Sequence, residues 1–176
     1  MIISETRIQG VFVVDLERRA DDRGYFARTF CEEEFDRHGL ESRFVQCNSS
    51  FNVRRGTLRG MHYQAEPFPE IKLVRCTRGT IFDVAVDLRP DSPTFKAWVG
   101  VELSHDNSRA LYVPAGCAHG FQTLTSDAEV LYMMGETYRN ELACGVRWND
   151  PAFAIDWPID LPFLSERDAT YPDYAQ

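Results

Sequence analysis

Four histidines occur in this sequence, at positions 38, 62, 105 and 119, and two of them stand in company that could do chemistry. His62 lies in RGTLRGMHYQ, where Gly56 and Gly60 flank Arg59, and His119 lies in PAGCAHGF, where a Pro-x-Gly turn would aim the ring off the start of a strand. A lone histidine is more often a satisfied core or interface residue; two such clusters in one short chain weigh against that. An imidazole titrates near neutral pH, so it suits the removal of a proton from a carbon next to a ketone. That reaction also needs a group to hold the enolate oxygen, and an acid on the opposite face if the centre is to invert. His62 is the candidate base, and a carboxylate beside it would fix its tautomer and stabilise the imidazolium.

The two histidine clusters resemble the two halves of the cupin pattern, in which Gly, five residues and His-x-His are followed later by Pro-x-Gly-x-x-His. Where a metal-binding cupin has its second histidine, this chain has Gln64, and Glu66 and Glu70 fall in a Pro-rich loop, away from the usual glutamate spacing. His62 and His119 alone fall short of the three protein ligands of a catalytic zinc or iron site. The pocket is therefore expected to work without metal or other cofactor.

Positioning these groups calls for a rigid frame, and the hydrophobic periodicity supplies one. In IFDVAVDL, residues 81–88, Phe82, Val84, Val86 and Leu88 fall on one face and Asp83 and Asp87 on the other, the period-two signature of a strand. The same reading predicts strands over Val11–Leu16, Tyr25–Thr29, Phe44–Cys47, Leu73–Thr77, Trp98–Leu103, Ala110–Val113 and Val130–Met134, separated by turn clusters such as Arg78-Gly79. So many short strands indicate an all-β sandwich or barrel. One peripheral helix is predicted over Glu32–Arg37, with an acidic first turn and Gly39 as its stop. Beyond Pro151, Ser165-Glu166-Arg167-Asp168 could cap a short turn or carry side chains back to a site.

The 176 residues, 44% hydrophobic, fit a single domain with a core large enough to need no staples. A net charge of −8 argues against nucleic acid or an anionic membrane as partner, while leaving room for a local basic pocket. Cys31, Cys47, Cys76, Cys117 and Cys144 are odd in number and form no CxxC pair, so they read as reduced thiols used as small packing residues. Neither a leader pattern nor an apolar run of ~20 residues is visible, so the expected location is the cytoplasm.

RGTLRGMHYQ, KLVRCTRGTIFDVAVDLRPDSPTF, WVGVELS, VPAGCAHGF, VLYMMGETY, GVRWNDPAFAIDWP and LSERD, in that order over about residues 4 to 172, resemble the dTDP-4-dehydrorhamnose 3,5-epimerase family. The resemblance implies a cupin-type jelly-roll barrel of antiparallel strands with a few short helices, acting as a homodimer. It implies metal-free epimerisation, at carbon 3, carbon 5 or both, of a 4-keto-6-deoxy sugar carried on a nucleoside diphosphate. By the same resemblance His62 is the base, Asp168 its carboxylate, Tyr132 the proton donor on the far side of the sugar, and Lys72 the ammonium near the carbonyl. Arg23, Arg59 and His119 match groups that hold the diphosphate, and Arg167 stands where the family usually has a phosphate-side lysine. Tyr138 matches the aromatic that stacks on the base, Gln46 and Asn48 line the nucleotide end, and Phe26 of the RGYF motif joins the substrate-binding set.

Four positions depart from the family pattern. Arg28 stands where the family has a glutamate that accepts a hydrogen bond from the base, Ala143 replaces a second glutamate with Glu141 near enough in sequence to substitute, Met133 follows Tyr132 where lysine is common, and Cys47 replaces an aspartate. A guanidinium at 28 would suit the acceptors of cytosine or guanine better than the N–H of thymine, unless it turns to solvent. A CDP- or GDP-linked sugar, inversion at a single centre, 3,4-ketoisomerisation, a non-catalytic sugar-nucleotide-binding role and an iron-dependent dioxygenase all remain open at this point.

Overall fold

The computed structural model describes residues 1–174. Its strands are β1 (Ile2–Glu5), β2 (Phe12–Asp15), β3 (Arg19–Asp21), β4 (Gly24–Phe26), β5 (Gln46–Asn52), β6 (Leu58–Gln64) and β7 (Lys72–Arg78), followed by β8 (Thr80–Asp87), β9 (Trp98–Ser104), β10 (Ala110–Val113), β11 (Cys117–Thr123), β12 (Ala128–Met134) and β13 (Ala143–Gly145). Helix α1 (Glu32–Arg37) precedes β5, and α2 (Glu166–Ala169) lies near the C-terminus. One sheet runs β1-β2-β10-β7-β12-β5, a second runs β13-β6-β11-β8-β9, and β3 and β4 form a separate hairpin. Pairing within the sheets is antiparallel throughout, giving the cupin-type jelly-roll expected.

Between the sheets, Val74, Leu111 and Val130 meet Ile81, Ala85 and Phe121 in a buried core, and the remaining space is a cavity. The outer face of the β8 sheet is sealed by the C-terminal segment, with Phe153 and Trp157 packed on Val84 and Val86. Covering both faces of β8 explains a departure from simple alternation. Asp83 and Asp87, on its polar face, point into the barrel and are both 0% exposed. The alternation identified the strand correctly, but the polar face is matched by charged partners and not by water.

Asp87 organises the loop that follows. It accepts hydrogen bonds from Arg89 Nε (2.8 Å), Ser92 Oγ (2.5 Å) and Thr94 Oγ1 (2.7 Å). Burial acts to raise its pKa, but these donors outweigh burial and hold it at about 2. A carboxyl with a depressed folded pKa adds stability above its unfolded value and loses it as pH falls through the folded one. Asp87→Ala is therefore expected to cost about 2 kcal/mol near neutrality, with the gap to native closing towards pH 2 in denaturant titrations. An equal gap at every pH would rule out the ionic contribution.

Helix α1 spans the residues anticipated, and Gly39 beyond it adopts φ +69°. It is more than peripheral, because Phe35 is 0% exposed and packs with Leu73 and Tyr112 over the outer face of the β7 sheet. Burying that ring is worth about 2–3 kcal/mol, which a six-residue helix needs, since so short a helix is unstable alone.

Each strand anticipated from periodicity is present, with shifted ends: β4 stops at Phe26, short of Thr29, and β5 starts at Gln46 and runs on to Asn52. Strands β1, β3, β6 and β13 were not anticipated, and of β11 only its start after the Pro-x-Gly turn was. Every residue of β11 is buried, so no polar alternation marks it. Strand β1 pairs along β2, so Val11–Leu16 lies inside the sheet and not at its edge. One further expectation needs correction. The five cysteines are free, but only Cys76 and Cys117 are buried and Cys47 is exposed, so packing does not account for all of them.

Candidate active site

His62 is on β6 and its ring borders a cavity of about 420 Å³ between the two sheets. Its backbone is set by a close approach of β6 and β11. A Cβ on Gly60 (φ +129°) would lie 2.6 Å from Gly120 Cα, so only glycine lets the strands meet where His62 and His119 are paired. From the far end of the chain, Ser165 caps α2 by accepting the Asp168 N–H (3.1 Å). That turn brings Asp168 Oδ1 within 2.6 Å of His62 Nε2. The carboxylate thus holds a proton on Nε2 and leaves Nδ1 as the basic atom.

Burial works to raise the Asp168 pKa, but the hydrogen bond and charge of His62, with Ser165 and the Gly60 N–H, outweigh it and hold the carboxyl below its ordinary value. Such a group stabilises the fold above the unfolded carboxylate pKa of about 3.9, and the contribution fades as pH falls through the folded value. Asp168→Asn is expected to melt below native near neutral pH, with the gap narrowing below about pH 4; thermal denaturation across that range measures it. A gap that stays constant would show that the His62 pairing is energetically irrelevant.

The opposite wall comes from the other sheet. Tyr132 is on β12, in register with Val74 of β7 and Asn48 of β5, and borders the same cavity. Burial pushes the phenol above its usual pKa, with Arg59 opposing and Glu70 reinforcing the shift, so at neutral pH Tyr132 carries its proton. An imidazole base and a protonated phenol on facing sheets form an acid–base pair able to act on two sides of a bound molecule.

Lys72, at the start of β7, is buried in the cavity wall; its Nζ donates to the His62 carbonyl (3.3 Å) and pairs with Glu70 Oε1 (2.7 Å). His119 Nε2 lies 2.8 Å from Asp83 Oδ1, a carboxylate whose pKa is raised by its complete burial, against the opposing influence of His119 and Lys72. Arg59, at the cavity wall, is oriented by Nε donation to Asn52 Oδ1 (2.7 Å). Gln46 and Asn48 reach the cavity from alternate positions of β5, and Gln46 Oε1 accepts the Tyr138 backbone N–H. Tyr138 and Arg167 complete that wall.

Three predicted residues are not brought to this cavity. Arg23 pairs with Asp21 at 2.5 Å on the β3–β4 hairpin with its side chain 89% exposed. Phe26, also on that hairpin, and Arg28, just beyond it, border a separate small recess, where Arg28 Nη1 lies 3.3 Å from Glu34. Among the other departures from the family pattern, Cys47 and Met133 alternate away from the cavity on β5 and β12, while Ala143 lines it. Glu141 is exposed in the 140–142 turn and is not among the cavity-lining residues, so its place in sequence does not make it a substitute.

Sequence reasoning missed Glu70, Asp83, Asn52 and Tyr171. Asp83 was visible only as half of an alternating pattern, and Glu70 as a loop carboxylate at the wrong spacing for a metal. Tyr171 sits edge-on to the His62 ring with centroids 5.9 Å apart, and its place over β13 depends on Gly145, where a Cβ would come within 2.4 Å of it. Gln64, in the position of a cupin metal ligand, is instead committed to backbone groups, donating to Phe68 O (2.6 Å) and accepting from Arg139 N (2.8 Å). Among the described residues, no group of three or more His, Cys, Asp or Glu side chains is placed to hold a metal ion. No helix among them is long and apolar enough to cross a membrane.

A jelly-roll barrel with a carboxylate-backed histidine and a protonated tyrosine on facing walls defines an isomerase of the cupin class. Residues 5–176 match the sequence profile of the family described as dTDP-4-dehydrorhamnose 3,5-epimerase. The dTDP-4-dehydrorhamnose 3,5-epimerase of Methanothermobacter thermautotrophicus is 46% identical over 170 residues, 95% of this chain and 91% of that protein. The crystal structure of the Bacillus anthracis enzyme of that name, with TDP and PPi bound, superposes with a TM-score of 0.95 at 41% identity, covering 98% of this chain and 99% of that one. The dTDP-6-deoxy-D-glucose-3,5-epimerase of Legionella pneumophila, in complex with dTDP-4-keto-L-rhamnose, gives a TM-score of 0.91 at 37% identity and 99% coverage of both chains. The chain belongs to the dTDP-4-dehydrorhamnose 3,5-epimerase family.

Proposed function

We propose that this chain epimerises a nucleoside-diphosphate-linked 4-keto-6-deoxyhexose at carbon 3, carbon 5 or both, without a metal. The observation that carries the reading is the position of the His62–Asp168 pair and Tyr132 on opposite walls of one cavity. Nδ1 of His62 takes the proton from a carbon beside the ketone, and the electron pair passes to the ketone oxygen, giving an enolate. Lys72 offsets that charge, and the Tyr132 hydroxyl returns a proton to the other face. Asp168, 7% exposed, stabilises the imidazolium meanwhile. Arg59, His119 and Arg167 take the diphosphate and Tyr138 stacks on the base, with Gln46 and Asn48 beside it. The dTDP-4-keto-L-rhamnose bound in the Legionella pneumophila relative supports this class of ligand.

In this reading the active species is a cytoplasmic homodimer of single-domain chains, and Arg23, Phe26 and Arg28 serve the cavity of the partner subunit. The exposure of Tyr25 (51%) and Phe26 (68%) on the β3–β4 hairpin supports this, because a partner would cover that apolar surface. Arg28, its side chain 60% exposed, is held by an ion pair with Glu34 worth about 0–1 kcal/mol and a long contact with Cys31 Sγ (4.0 Å), so little opposes its turning towards a nucleobase.

The test is turnover of dTDP-, CDP- and GDP-linked 4-keto-6-deoxyhexoses in deuterated water, with exchange at carbons 3 and 5 followed by NMR. Exchange with any of them supports the epimerase reading; none with all three would overturn it. A preference for the CDP or GDP sugar supports a base contact from Arg28, whereas equal or better use of the dTDP sugar removes that contact and leaves the epimerase reading standing.

A further inference from the structure

We propose that Glu70 reads the substrate hydroxyl adjacent to the ketone and is a specificity-determining residue of the site; this rests on the epimerase reading above. Glu70 is 8% exposed and borders the cavity. Its two oxygens differ: Oε1 receives Lys72 Nζ at 2.7 Å, while Oε2 is buried with no hydrogen-bond partner. Leaving a buried acceptor unsatisfied is costly, and the carboxylate cannot easily swing out to water. The adjoining Ile71 is 7% exposed and packed under the sheet, and its carbonyl accepts the Gly135 N–H at 3.0 Å. In this proposal the missing donor comes from the ligand that fills the cavity.

The chemistry of the wall says which part of the ligand that is. A carboxylate repels a diphosphate, so Glu70 faces the uncharged sugar, whose hydrogen-bond donors are its hydroxyls. Glu70 and Lys72 are in direct contact, and Lys72 lies at the ketone oxygen in the proposed mechanism. The hydroxyl nearest that oxygen is the one on carbon 3, vicinal to the ketone and attached to one of the two carbons beside it. Accepting from it would fix the rotation of the sugar about the site and select sugars that retain oxygen at carbon 3.

The test is a cycle between residue and substrate: native enzyme and Glu70→Gln, each with the 4-keto-6-deoxyhexose nucleotide and its 3-deoxy analogue, comparing kcat/KM for deuterium wash-in beside the ketone. Native enzyme is expected to lose about tenfold to a hundredfold on the 3-deoxy sugar, the scale of one hydrogen bond to a charged group. Glu70→Gln, already slower by a similar factor on the full sugar, should distinguish the two sugars by only about twofold to threefold. If both enzymes lose the same factor, the effects are independent, Glu70 serves Lys72 alone and the proposal is overturned. Glu70→Ala, which removes the acceptor altogether, repeats the comparison. Calorimetric binding of the same two sugars runs the cycle without turnover. Coupled binding with no wash-in would therefore sink the epimerase reading while keeping Glu70 as the hydroxyl acceptor.

Discussion

Replacing His62 with asparagine is expected to lower turnover by about 100- to 10,000-fold, the range for removing one positioned general base. Deuterium wash-in from solvent should fall with it, because in the proposed mechanism no other group takes the substrate proton. Asparagine keeps a polar side chain beside Asp168, whose pairing with His62 at 2.6 Å would otherwise leave a buried carboxylate alone. Nucleotide affinity should change little, since the diphosphate and base are held by other residues; calorimetry with the nucleoside diphosphate checks this beside NMR of the sugar. Wash-in by His62→Asn within tenfold of native would remove His62 from its role.

Tyr132→Phe is expected to lower inversion by a similar factor but to spare much of the exchange. The base and its carboxylate remain, so the enolate still forms. The His62 side chain is 40% exposed and can trade its proton with solvent before returning it to the same face. The signature is therefore deuterium entering with retained configuration, an exchange-to-inversion ratio far above native. Since Tyr132 carries its proton at neutral pH, phenylalanine removes a donor and not a charge, and the partly buried ring keeps its packing. A variant in which exchange and inversion fall together would argue that Tyr132 orients the sugar and delivers no proton.

These experiments, with Asp87→Ala and Asp168→Asn, separate what the frame does from what the site does. Asp87 lies at the end of β8 and ties a loop, while Asp83, four residues earlier on the same strand, is paired with a cavity histidine. Both carboxylates looked alike as the polar half of one alternating strand. They differ because Asp83 meets β11, which is paired along its length, and Asp87 meets a turn that supplies Arg89, Ser92 and Thr94.

Much was legible without coordinates. Alternation over 81–88 located β8, the Glu-rich start and Gly39 located α1, and the motifs around His62, Lys72, Tyr132 and Asp168 marked residues that fold around one cavity. Strand β6 was hidden because Gly60 and a mixed burial pattern erase a two-residue period, and β11, buried along its whole length, was legible only at its start after the Pro-x-Gly turn.

The sequence by itself determined the kinds of chemical group available, the all-β frame and the family, because each is carried by short-range pattern or by motifs in fixed order. Only the tertiary structure decided which group meets which: Asp168 with a histidine 106 residues away, Asp83 with one 36 residues away, and Arg23, Phe26 and Arg28 outside the chain's own cavity. Partners so distant in sequence leave no trace in local periodicity. Sheet pairing and the fold-back of the C-terminal turn bring them together, and burial then sets the protonation that the chemistry uses.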